Sequence, residues 1–128
     1  IDEHFGAHLT EAEAATLRCA GPLQRAYVAR FGHDQELERQ ANIDAEIETA
    51  KAQVVVSELI LRAATDLFNA LGASGVSVSK SLDRHWRNAR TAASHNPWIY
   101  KARIVGDWTI NGTEPLYVWQ IGNSLKAG

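Results

Sequence analysis

A row of four hydrogen-bonding side chains recurs about once per helical turn in the C-terminal half of the chain and ends in a histidine. The row consists of Arg84, Asn88, Thr91 and His95. On a helix, which turns by about 100° per residue, all four side chains lie on one side. Histidine often transfers protons near neutral pH, and a helix C-terminus favours a positive charge. The spacing predicts a polar stripe with His95 as its acid–base group, although a solvated surface without chemistry would carry the same pattern.

The opposite side of the same segment is apolar. Its residues are Leu82, Trp86, Ala89 and Ala93. This spacing predicts that the side is buried against a core. The helix is expected to start near Ser79 or Ser81 and to stop by Asn96, because Pro97 disfavours helical geometry in the residue before it. His95 then lies in the last turn, where its side chain can reach past the helix end.

A long helix from about Asp34 to Leu71 is the strongest element that the sequence predicts. Its apolar residues recur at three- and four-residue steps or at their sum: Ile43, Ile47, Ala50, Val54, Leu61, Ala64 and Phe68. The segment 72–75, Gly-Ala-Ser-Gly, is expected to close this helix. A helix of this length is typical of a bundle, where other helices cover its apolar sides.

The remaining segments are predicted to be shorter. A capping-box pattern at Thr10 is expected to open a helix that runs through Ala20, and Gly21-Pro22 interrupts it. A second short helix then ends at Gly32 and carries Leu23, Ala26, Tyr27 and Phe31 on one side. From Trp98 onward we expect short extended stretches and an Asn-Gly turn. The fold prediction is an all-α, up-and-down helical bundle with a short irregular C-terminal tail.

Composition limits the functions that the chain can have. It has 128 residues, of which 45% are apolar, so a globular domain is favoured over disorder. The formal net charge of -2 argues against a general affinity for nucleic acid. The single cysteine, Cys19, excludes an internal disulfide and fits a reducing cytoplasm; its apolar neighbours favour a buried residue over a catalytic thiol. No apolar run reaches the roughly 20 residues of a membrane span.

An ordered series of motifs gives the sequence a family resemblance. The motifs are Leu71-Gly72-Ala73-Ser74, the block 82–91 (LDRHWRNART), Ser94-His95-Asn96-Pro97, Tyr100-Lys101, and Gly106 followed by Asn111-Gly112. Together they resemble the C-terminal end of the acyl-CoA dehydrogenase-like flavin monooxygenases, the group that includes dibenzothiophene monooxygenases and sulfur-acquisition oxidoreductases. The resemblance extends from about Ile43 to Thr113, and its block from Arg84 to Pro97 is the most specific part.

The resemblance implies a fold and an assembly. In this family a C-terminal helical bundle follows a β-domain, and the subunits usually form tetramers. It implies that residues 1–128 are one helical domain and a C-terminal fragment of a larger cytoplasmic enzyme. The fragment alone is expected to be inactive, because most flavin and substrate contacts would lie outside it.

The resemblance also implies the chemistry. Reduced flavin, with FMN favoured over FAD, would react with O2 to form a C4a-(hydro)peroxyflavin that oxygenates a small-molecule substrate, and a separate reductase would supply the flavin. The resemblance gives His95 the catalytic role beside the flavin and implies no metal. The cofactor-binding candidates are Asn88, Thr91, Asn96, Arg84, Arg87 and Arg90. The three arginines could instead form ion pairs between subunits.

The residue at position 96 distinguishes two branches of the family. Acyl-CoA dehydrogenases that carry their base in this region have a glutamate at the position that Asn96 occupies here. An amide cannot remove a proton as that carboxylate does. The monooxygenase branch is therefore favoured. Two alternatives stay open: an acyl-CoA dehydrogenase fragment whose base lies elsewhere, and a non-catalytic helical oligomerisation module.

Overall fold

Five α-helices make up most of the part of the chain that the structure describes. The structure is a computed structural model that describes residues 3–32 and 34–116, with only the backbone of residues 3–6 and of Leu9. The helices are α1 (Glu3–Leu17), α2 (Ala20–Phe31), α3 (Gln35–Leu71), α4 (Asp83–His95) and α5 (Trp98–Asn111). Two short 3-10 turns, Ala73–Val76 and Val78–Lys80, connect α3 to α4. No strand occurs in these ranges, and the all-α prediction is confirmed.

α3 is the centre of the bundle, and each of the other four helices packs against it. α1 and α2 follow one another along one side of α3, whereas α4 and α5 follow one another along a second side. Each of these two pairs of helices forms a column, and its contacts with α3 show in which direction it runs. His8 of α1 lies near Asp66 of α3, and the later Cys19 lies near Glu48, closer to the start of α3. On the second side Asn96 bonds to Gln53, and the later Lys101 pairs with Glu46. Both columns therefore run antiparallel to α3, as an up-and-down bundle requires.

The ends of α3 lie where the sequence predicts them. Asp34 is the N-cap, and its carboxylate accepts a hydrogen bond of 3.0 Å from the backbone N–H of Leu37. Such a cap contributes about 1 kcal/mol to helix stability. At the other end, Gly72 has φ 66° and ψ -170°, a conformation that almost only glycine adopts. A side-chain cap and a glycine thus fix the length of the central helix.

Gly72→Ala is expected to destabilise the fold by about 1–3 kcal/mol, because alanine would have to adopt a strained backbone conformation. Space does not limit this site, since a Cβ atom on Gly72 would meet nothing within 4 Å. Gly32→Ala is the matched control: Gly32 also follows a helix but has φ -78°, which alanine adopts readily. Urea unfolding followed by circular dichroism compares the two. A Gly72→Ala protein as stable as the wild type would contradict the strain.

The core lies between α3 and α5. Ile43 and Ile47 of α3 are buried, and Ile104 and Trp108 of α5 pack against them. Elsewhere on α1, α3 and α4 most of the buried residues are small, which lets helices approach closely; they include Ala12, Ala15, Ala41, Ala45, Ala50, Ala63 and Ala93. This packing holds α5, and with it the end of α4, at a defined position along α3.

The largest correction concerns the segment after Pro97, predicted to be extended and found to be helical. Residues 98–111 form α5. Lys101, Ile104, Val105 and Trp108 recur at helical spacing and are partly buried, so packing against α3 outweighs the low helix propensity of the β-branched residues. The predicted turn is present as the helix end, where Gly112 has φ 69°. The irregular segment continues through 112–116, and the predicted tail beyond it lies outside the described residues.

Two further expectations about the first helices are wrong. α1 already includes Glu3, so Thr10 lies inside the helix and does not cap it. The alanine-rich sequence around Thr10 favours the helical conformation. The helix expected to run through Ala20 ends at Leu17, and Gly21-Pro22 lie in the first turn of α2 instead of interrupting α1. Leu23, Tyr27 and Phe31 recur on one side of α2, as their spacing predicts, and all three are exposed. Among the described residues, no helix combines the length and the apolar character needed to cross a bilayer.

Candidate functional site

α4 presents its polar stripe outward and its apolar side toward α3, as the spacing predicts. The stripe residues are all exposed: Arg84, Asn88, Thr91 and His95. On the opposite side Ala93 is only 8% exposed, and Leu82 and Ala89 are partly buried. Trp86 is the exception, at 39% exposed, because it borders a groove. The packing of α4 on α3 therefore leaves one continuous row of hydrogen-bonding groups accessible.

His95 is the last residue of α4 and lies beside a sharp change of chain direction. Asn96 leaves the helical region with φ -118° and ψ 102°, and Pro97 precedes the first residue of α5. The exposed side chain of His95 thus lies at the C-terminal end of α4. Asn96, another predicted site residue, is exposed at the same break.

The Thr91 hydroxyl has a restricted role because it already donates a hydrogen bond. Its Oγ1 donates to the backbone carbonyl of Arg87 at 2.8 Å. A hydroxyl has one hydrogen and two lone pairs, so Thr91 can still accept a hydrogen bond from a ligand. The amide of Asn88, one turn earlier, offers both donors and an acceptor. The middle of the stripe therefore suits a ligand edge with alternating donors and acceptors.

The three predicted arginines do not converge. Arg84 lies on the stripe and is exposed. Arg87 forms an ion pair with Asp83 one turn earlier, with Nε 3.2 Å from Oδ2. Arg90 is directed to another side of α4, where it lines a groove with Trp86 and Trp98. Of the three, only Arg84 shares the accessible row with His95.

An open groove between α1, α3 and α4 was not anticipated from the sequence. It has a volume of about 700 Å³ and is lined by Val54, Leu61, Trp86, Arg90 and Trp98, among others. At its α1 side, Nε2 of His8 lies 3.6 Å from Asp66, and the enclosed Nδ1 has no hydrogen-bond partner among the described residues. The walls come from α1, α3, α4 and the first residue of α5, which are far apart in sequence, so no local pattern could have indicated the groove.

Cys19 is buried, as its neighbours predict, with 8% of its surface exposed. Its Sγ lies 3.7 Å from the carbonyl oxygen of Ala15 and 3.5 Å from that of Glu48. Burial raises the pKa of the Cys19 thiol, and the Glu48 carboxylate raises it further. Because the thiolate is the reactive form, this environment disfavours a catalytic thiol. In the part of the chain described by the structure, no three His, Cys, Asp or Glu side chains form a potential metal site.

Comparison with known proteins relates this arrangement to a family. Residues 2–98 match the family model described as "Acyl-CoA dehydrogenase, C-terminal domain". The dibenzothiophene monooxygenase of Mycolicibacterium goodii is 29% identical over 112 residues, which are 88% of this chain and 26% of that protein. The probable FMNH2-dependent monooxygenase SfnC of Pseudomonas putida is 32% identical over 87 residues, 68% of this chain and 22% of that protein.

Solved structures of two monooxygenases are also similar to this chain. Methanesulfinate monooxygenase MsuC from Pseudomonas fluorescens superimposes with a TM-score of 0.74 at 31% identity, over 88% of this chain and 28% of that one. FMN-bound TdsC from Paenibacillus sp. A11-2 gives a TM-score of 0.67 at 31% identity, over 87% and 27%. The chain thus spans about a quarter of the length of these relatives. It belongs to the acyl-CoA dehydrogenase C-terminal domain family.

Proposed function

We propose that this chain is the C-terminal helical region of a two-component flavin monooxygenase that uses reduced FMN and O2. The observation that carries the proposal is the orientation of α4: its apolar side packs on α3, and the row that ends in His95 remains accessible. Relatives named as FMNH2-dependent, and an FMN-bound structure, share this helical region. The proposal treats residues 1–128 as one domain of a longer enzyme.

The exposed row has the chemistry that a flavin requires. Flavin rings carry carbonyl oxygens and ring nitrogens, and FMN adds an anionic phosphate. Asn88 and Asn96 supply amide donors, and Thr91 supplies an acceptor. Arg84 is the stripe residue suited to an anionic group. These residues would hold the cofactor, while Arg87 and Arg90 are less well placed because one is ion-paired within α4 and the other is directed into the groove.

We assign to His95 the role of donating a hydrogen bond or a proton through its imidazole N–H. Reduced flavin, when bound, supplies the two electrons for oxygen activation. Negative charge that develops on oxygen during this chemistry is stabilised by a fixed hydrogen-bond donor or by a proton. His95 can provide either, because an imidazole has a ring N–H donor and can transfer a proton, and this side chain is exposed at the end of α4. The role of this chain is therefore to bind, to orient and to donate a proton.

Substrate and partners follow from the relatives and the surface. The named relatives act on dibenzothiophene and methanesulfinate, so small organosulfur compounds are the first substrates to test. A separate reductase would deliver the reduced FMN in the cytoplasm. The exposed Leu23, Tyr27 and Phe31 of α2 support assembly into a homo-oligomer, with a tetramer as the expected state, because such apolar patches are usually covered.

The test uses the natural gene product that contains this sequence. With a flavin reductase, NADH, FMN and ¹⁸O2, we expect incorporation of one ¹⁸O atom per turnover into dibenzothiophene or methanesulfinate. Flavin reduction by an acyl-CoA without oxygen transfer would support the dehydrogenase alternative. A colourless, stable oligomer with neither activity would support a non-catalytic oligomerisation module.

The isolated 128-residue chain is expected to show no oxygenation in the same assay. It spans 26% of the length of one monooxygenase relative and 28% of another, so most contacts to flavin and substrate would be missing. The measurement is product formation by mass spectrometry, with the longer gene product as the positive control. If the isolated chain formed product faster than free reduced FMN does, the expectation that it is inactive without the rest of the enzyme would be wrong.

A further inference from the structure

We propose that Gln53 of α3 is a positioning residue for His95, a role that rests on the proposed function. The Nε2 atom of Gln53 donates a hydrogen bond of 2.7 Å to the backbone carbonyl oxygen of Asn96. Asn96 directly follows His95 in the chain. The contact spans 43 residues and attaches the break between α4 and α5 to the central helix.

The break needs such a partner because it is poor in backbone donors. α4 ends at His95, and Asn96 has left the helical conformation. Pro97, the next residue, has no backbone N–H. Carbonyls at the end of a helix require partners from outside the helix. The side-chain amide of Gln53 supplies the donor to the Asn96 carbonyl.

A second polar contact shows that the attachment fixes a position along α3. Nζ of Lys101 lies 2.9 Å from Oε1 of Glu46, and both side chains are mostly buried. Glu46 and Gln53 are seven residues apart, so they lie on the same side of α3, about two turns from each other. Lys101 holds the first part of α5, whereas Gln53 holds the junction itself. Gln53 therefore governs where the chain turns and how His95 projects.

Gln53→Leu in the 128-residue chain tests the attachment without any activity. It removes the donor and keeps a similar side-chain volume. We expect amide hydrogen exchange at residues 100–104, where the N–H groups of α5 begin to be hydrogen-bonded, to become about fivefold faster, the effect of one net hydrogen bond on local opening. We also expect the NMR signals of the His95 imidazole to shift. Gln40→Leu is the matched control, because Gln40 bonds within α3, to Asp44 at 3.0 Å, and it should change neither readout.

In the intact enzyme the same substitution should separate positioning from binding. Gln53→Leu is expected to lower kcat about 10- to 100-fold, while KM for the substrate changes less than about twofold. Gln53→Lys retains a donor and should restore most of kcat. If Gln53→Leu does not fold, Gln53→Glu replaces it, since it has the same size but no donor when ionised.

The outcomes distinguish the two proposals. Unchanged His95 signals, unchanged exchange at residues 100–104 and wild-type kcat in Gln53→Leu would overturn the positioning role alone. A wild-type gene product without oxygenase activity would overturn the proposed function. Shifted His95 signals in the 128-residue Gln53→Leu chain would then still support the attachment of the helix junction by Gln53.

Discussion

His95→Ala is expected to lower the rate of oxygenation by the intact enzyme about 10²- to 10⁴-fold, the usual contribution of a general acid or base. The affinity for FMN should weaken by no more than about fivefold, because at most one of several hydrogen bonds is lost. Stopped-flow mixing of reduced enzyme with O2 and substrate measures the rate. Quenching of FMN fluorescence measures the affinity.

His85→Ala is the matched control for this loss. His85 is also exposed on α4, but at about 100° per residue it lies to one side of the stripe. It should retain wild-type oxygenation. His95→Gln, which keeps a hydrogen-bond donor but cannot transfer a proton, separates the two possible roles of the imidazole. Equal rates in His95→Ala and the wild type would remove His95 from the mechanism, and equal losses in both alanine variants would indicate a general effect on α4.

Local chemistry explains why the central helix and the orientation of α4 could be predicted. The ends of α3 depend on Asp34 and Gly72, whose side chain and backbone preferences act within a few residues. The two sides of α4 follow from its own periodicity, because any partner helix would cover the apolar side. The polar row with His95 was therefore visible in the sequence before the identity of its neighbours was known.

Tertiary contacts explain the parts that could not be predicted. α5 carries β-branched residues and follows a proline, and its contacts with α3, among them the packing on Ile43 and Ile47, account for its helical conformation. The hydrogen bond from Gln53 to Asn96 joins residues far apart in sequence. The side chain of Arg90 lines a groove whose other walls include α1 and α3, so its direction depends on how these helices pack. The spacing of the apolar residues in α2 likewise does not reveal that the side of this helix with Tyr27 is exposed.

Ile43→Ala is expected to destabilise the protein by about 2–5 kcal/mol, the range found when a fully buried aliphatic side chain is cut back. Ile43 is 1% exposed and packs with Ile47, Ile104 and Trp108, so truncation leaves a cavity where α5 meets α3. Urea unfolding monitored by circular dichroism gives the change in free energy.

Ile110→Ala is the control, since Ile110 lies on α5 but is 82% exposed; its stability should stay within about 0.5 kcal/mol of the wild type. Equal stabilities of the two variants would mean that α5 does not pack on α3 as described.

The cavity left by Ile43→Ala also has a functional consequence, because Ile43 helps hold the helix that begins two residues after the Asn96 carbonyl. Hydrogen exchange at residues 100–104 should therefore rise in Ile43→Ala and stay unchanged in Ile110→Ala, which would link the core of the bundle to the placement of His95.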